Sequence, residues 1–84
     1  MPTSKEIMED FLYACCEYNQ EKYSDRCNID YFIKDNGSYI QVFVKNEKTG
    51  DKLSAIFETL ESLEQSKVDR LFYALARKEG VVNA

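Results

Sequence analysis

Cys15, Cys16 and Cys27 are the chain's only thiols, and with no histidine anywhere they must carry any nucleophilic, redox or metal chemistry without that partner. Three thiols without imidazole cannot complete a four-ligand structural zinc site, so no metal or cofactor is expected. A reactive cysteine needs a cationic neighbour to lower its pKa, whereas Cys16 is followed by Glu17. Cys15 falls on an apolar helical stripe, where a free thiol packs as a small hydrophobe, and Cys16 is expected to point sideways and be partly exposed. Carboxylates are plentiful, but nothing singles out a pair for acid–base work. The three glycines supply no phosphate-binding loop. A non-catalytic protein is expected.

Two constellations remain, and both suit binding. The first is a row of carboxylates with one tyrosine: Glu6, Asp10, Tyr13, Glu17 and Glu21 follow one another at four, three, four and four residues, which on a helix places them on one face. Like charges at such spacing weaken a helix slightly. The row therefore reads either as an ordinary solvated face or as a docking stripe for a protein with a basic surface. The second is aromatic: Phe32, Tyr39 and Phe43, with Ile56, alternate with Asp30, Lys34, Gln41, Lys45 and Lys52 on what would be one side of a sheet. That pattern fits a protein or homodimer interface, where aromatic residues are enriched. It also fits base stacking on single-stranded nucleic acid, or a face covered by another part of the chain.

The elements that must position these residues are legible in the patterning. Thr3 and Glu6 have capping-box spacing, and Ile7, Met8, Phe11, Leu12, Ala14, Cys15 and Tyr18 recur with helical period, predicting a helix over 4–22 with those residues inward. Alternating runs over 27–34 and 39–45 flank Asn36-Gly37 and predict a hairpin. With Asn36-Gly37 as a two-residue type I′ loop, Ile33 opposes Ile40, Tyr31 opposes Val42 and Ile29 opposes Val44. A third strand is expected over 52–57. A four-residue loop before it would set Leu53 and Ala55 against Val44 and Val42, whereas a bulge at Gly50 would put Ser54 and Ile56 there instead; the first is favoured because it buries Leu53, Ala55 and Phe57 together. A final helix over about 60–79 is expected, either continuous or broken near Ser66, which has capping-box spacing to Asp69, and it should stop at Gly80 behind Arg77 and Lys78. Val81 to Ala84 reads as a frayed tail.

The expected fold is therefore α+β, one domain over 1–84, ordered α-β-β-β-α: a three-stranded antiparallel sheet with both helices packed on one face. With 44% hydrophobic residues and a net charge of −4, the chain has enough apolar content to fold and too little positive charge for general attraction to nucleic acid. Its apolar runs are too short for a membrane span. An odd number of cysteines without a leader sequence suggests a reducing, cytoplasmic setting.

The element order resembles that of double-stranded-RNA-binding domains. In that family a lysine cluster at the start of the last helix meets phosphates. Here the corresponding stretch holds Glu58, Glu61, Glu64, Gln65 and Ser66, with Lys67 its one base, so the resemblance carries no RNA-binding residues over. The expected function is a small acidic regulatory module that binds a protein. One alternative is a phage-type inhibitor that presents its acidic row to a nucleic-acid-binding protein, and another is a single-strand nucleic-acid binder using the open sheet face.

Overall fold

The computed structural model describes residues 1–82. The order is helix α1 (Ser4–Tyr23), strands β1 (Ile29–Asp35), β2 (Ile40–Asn46) and β3 (Lys52–Phe57), a single 3-10 turn (Leu60–Ser62), then helix α2 (Gln65–Glu79). The strands form one antiparallel sheet in the order β1-β2-β3. Both helices cover the same side, α1 over β1 and α2 over β2 and β3, and they pack against each other.

The Thr3 hydroxyl accepts the Glu6 N–H at 3.2 Å while the Glu6 carboxylate accepts the Thr3 N–H at 3.4 Å, so the expected capping box starts α1. The helix is rotated relative to expectation. Met8, Leu12, Cys15, Cys16, Asn19 and Tyr23 are buried, whereas Ile7, Phe11, Ala14 and Tyr18 are exposed. Apolar residues span more of this helix than one contact face can cover, and its neighbours take only the Met8–Leu12–Cys15 side.

The hairpin keeps its expected faces but not its expected register. Ile33 pairs with Val42, Tyr31 with Val44 and Ile29 with Asn46, two residues away from the predicted pairing. A slip of two preserves which side chains point inward, where a slip of one would reverse them. The loop is Gly37-Ser38 rather than Asn36-Gly37. Gly37 has φ 95°, no non-glycine residue among the described ones has positive φ, and the Asn36 N–H donates to the Tyr39 carbonyl at 2.9 Å. Positive φ at the first loop residue alone is the requirement of a type II′ turn, which Gly-Ser meets. Asp35 reinforces this choice by accepting the Gly37 N–H at 2.8 Å and pairing with Lys5 at 2.6 Å; the Lys5 ammonium also reaches the Gly37 carbonyl.

The second connection matches the four-residue loop, with Leu53 opposite Val44 and Ala55 opposite Val42. Of the three residues expected to be buried there, only Phe57 is; Ala55 is half-buried and Leu53 exposed, because β3 is an edge strand.

Asn46 ends β2 on the inward side with no exposed surface. Its amide accepts the Lys48 and Thr49 N–H groups at 2.9 and 3.0 Å and donates to Glu79 at 2.9 Å. One side chain thus folds the β2–β3 turn and ties it to the end of α2.

Of the two alternatives for the last segment the structure has the interrupted one, with the break earlier than Ser66: α2 begins at Gln65 behind Glu64, and Ser66 lies inside it rather than capping it. Asp69 is engaged elsewhere, accepting from the Asn19 amide at 2.8 Å. Gly80 ends the helix with φ 88°, its N–H reaching the Ala76 and Arg77 carbonyls. Val81 and Val82 are not frayed. The Val81 N–H donates to Ala76 at 3.1 Å and both side chains pack on the core. The remaining two residues of the predicted tail lie outside the described ones. Fully buried Leu12, Ile40, Phe57, Phe72 and Leu75 join helices and sheet into one core, each worth roughly 1.5–3 kcal/mol of transfer free energy.

Candidate interaction surfaces

Among the described residues nothing covers the sheet face turned away from the helices. Its outward side chains form three rows across the strands: Asp30, Lys45 and Lys52; Phe32, Phe43 and Ser54; Lys34, Gln41 and Ile56. The two-residue shift in register is what sets Phe32 directly opposite Phe43. Their ring centroids lie 6.1 Å apart with the planes tilted by 38°, within the range of attractive aromatic pairs. Phe32 remains 60% exposed, Ile56 49% and Phe43 36%, so pairing hides neither ring. Beside them a shallow hollow of about 280 Å³ is walled by Phe32, Phe43, Lys45 and Lys52.

The alternative in which another part of the chain covers this face is not seen among the described residues. Lys45 and Lys52 are direct cross-strand neighbours, an arrangement that costs stability. Lys45 stands between Lys52 and Asp30 across the strands and has the Glu47 carboxylate at 4.0 Å. Tyr39, assigned to the same face from alternation, precedes β2. It is half-buried and lines a separate cleft between the start of α1 and the 3-10 turn, with Lys5, Met8 and Leu60.

The carboxylate row on α1 is less uniform than its spacing suggests. Glu6 is committed to the helix cap. Tyr13 packs edge-on against Tyr31, with centroids 6.1 Å apart and planes at 70°. Asp10, Glu17 and Glu21 stand exposed and make no ion pair among the described residues. The row Ile7, Phe11, Ala14 and Tyr18 runs beside them, exposed where sequence reading placed it inside. Its signal was present: two apolar stripes share this helix, and only one can face the core.

The thiols lie in unreactive settings. Cys16 is buried rather than partly exposed, and burial, reinforced by Cys15 and Glu17, pushes its pKa up to about 12. Burial also raises Cys15, with Asp69 adding to it, and raises the half-buried Cys27. Among the described residues no three histidine, cysteine or acidic side chains are grouped to hold a metal ion, and no helix is long and apolar enough to cross a membrane. Lys67, the single base at the start of α2, has its ammonium 5.8 Å from the centre of the Phe57 ring, an internal cation–π contact.

Comparison of the chain with known protein families, with curated proteins and with solved structures found no match.

Proposed function

We propose that the protein is a non-catalytic binding module that docks another protein on the open sheet face. The exposed Phe32–Phe43 pair carries this reading. Paired aromatics with Ile56 nearby offer a hydrophobic anchor, and lysines at 34, 45 and 52 favour a partner whose apolar contact is flanked by carboxylates. Lys52 supports the same view: it lies beside Lys45, whose charge is shared with Asp30 and Glu47, and makes no ion pair of its own among the described residues, so a bound acidic group would complement it.

Single-stranded nucleic acid is the competing occupant, since exposed aromatics beside lysines also suit bases and phosphates. Binding of a basic protein through Asp10, Glu17 and Glu21, the inhibitor-type alternative, draws support from their exposure without ion pairs. Capture from nuclease-treated lysate separates these three. The proposal expects a specific protein to be retained by the wild type, lost with Phe32→Ser/Phe43→Ser and kept with Asp10→Lys/Glu17→Lys. Loss only with the acidic-row variant supports the inhibitor-type reading. Tight binding of a fluorescent oligothymidylate that disappears in the phenylalanine variant supports nucleic acid. Either of those results rejects the main proposal.

A further inference from the structure

The exposed row on α1 has the spacing of a coiled-coil seam. Ile7, Phe11, Ala14 and Tyr18 follow at four, three and four residues, the alternation of a and d positions in a heptad. In that register Phe11 and Tyr18 are a-type residues, and Asp10 and Glu17 immediately precede them at g, where charges choose the partner helix. Tyr18 is 56% exposed, Ile7 44% and Phe11 36%, so a helix already packed on the sheet keeps a second apolar row partly open to solvent.

The chain also holds a complementary helix. α1 contains five acids against two bases, net −3, while α2 contains four bases against two acids, net +2. On α2, Arg70 and Arg77 are exposed and make no ion pair among the described residues. They are seven residues apart, as are Asp10 and Glu17, so each pair spans about 10.5 Å of helix. The long alkyl stems of the arginines can lie on an apolar seam while their guanidinium groups reach flanking carboxylates.

We infer that the outer side of the helical layer binds a second copy of this chain, α1 of each protomer lying against α2 of the other across a two-fold axis. The two contacts are then equivalent, as closed two-fold symmetry requires. Laying α1 on α1 instead would also bury apolar surface, but it would oppose Asp10 and Glu17 to their own copies. The charge pattern therefore selects the crossed arrangement. This surface is opposite the open sheet face, so the proposed docking function does not depend on it.

Sedimentation equilibrium of the full chain, in low and in physiological salt, tests the inference. The wild type should be a dimer that weakens as salt rises. Asp10→Lys/Glu17→Lys and Arg70→Glu/Arg77→Glu, each shown folded by circular dichroism, should raise the dissociation constant by about tenfold or more. Mixing the two variants in equal amounts should restore the dimer, because both contacts of the mixed pair are again acid on base. A wild-type monomer at several hundred micromolar overturns the inference. So do variants that dimerise unimpaired alone, a mixture that stays monomeric, or a dimer abolished by Phe32→Ser/Phe43→Ser.

Discussion

The amide of Asn19, 1% exposed on α1, donates to the carboxylate of Asp69 on α2 at 2.8 Å and to the Cys15 carbonyl at 2.9 Å. It is a polar link between the helices, set inside an otherwise apolar contact. Because the donor is buried beside an anion, the site tolerates a neutral amide and rejects a second charge.

Asn19→Asp should therefore destabilise in a pH-dependent way. The introduced carboxyl, held against Asp69, would have a folded-state pKa above its unfolded one. Its penalty is then small below the unfolded value and grows as pH rises through it. The variant should lie near the wild type at pH 4 and lose about 2–4 kcal/mol at pH 7. Urea unfolding at the two pH values measures this; a loss equal at both would contradict it.

Asn46 serves the turn and α2 at once, so its removal affects both. Asn46→Ala strands the Glu79 contact and two turn N–H groups, and should cost about 2–3 kcal/mol. Asn46→Asp keeps the turn acceptors but opposes a carboxylate to Glu79. Adding Glu79→Gln should recover part of that loss, which a double-mutant cycle in chemical denaturation would quantify.

The Lys5–Asp35 clasp holds the β1–β2 loop to the start of α1. The Lys5 ammonium and the Gly37 N–H, in that order, hold the Asp35 carboxyl below its ordinary value of 3.8. A depressed carboxylate contributes stability that is present above the unfolded pKa and lost as pH falls through the folded one. The effect thus belongs to strongly acidic pH, below 3.8. Carbon-detected NMR titration should find Asp35 titrating below that value, and Lys5→Gln should move it upward.

Cys16, with its pKa near 12 and no exposed surface, should resist thiol reagents at pH 8 until the protein opens, since thiolate is the reacting form. Native-state labelling followed by mass spectrometry should show Cys16 modified at the rate of global unfolding, with the half-buried Cys27 modified sooner. Fast labelling of Cys16 in the folded protein would show the α1 packing described above to be wrong.

Much of the fold was readable because the signals are local. Thr3 and Glu6 cap a helix through atoms three residues apart, and Gly80 ends one through its own φ. The open sheet face was readable for a related reason. Strand alternation assigns Phe32 and Phe43 to one side whether the hairpin closes on Asn36-Gly37 or on Gly37-Ser38, and Ile56 joins them when a four-residue loop precedes β3. Local pattern could not choose between those loops, because both keep the same residues inside. The clasp from Lys5, thirty residues from Asp35, is one of the contacts that favour the observed loop.

By itself, the sequence determined the order of elements, where the helices begin and end to within a few residues, and which side of β1 and β2 meets the core. Tertiary structure alone decided that Phe32 faces Phe43, that Tyr39 leaves their surface, that Cys16 and Asn19 turn inward on α1, and that Ile7, Phe11, Ala14 and Tyr18 turn outward. The reason is geometric. A strand has two faces, so alternation settles which one is buried, whereas a helix with apolar residues over most of its circumference has no preferred inner side until its neighbours are in place.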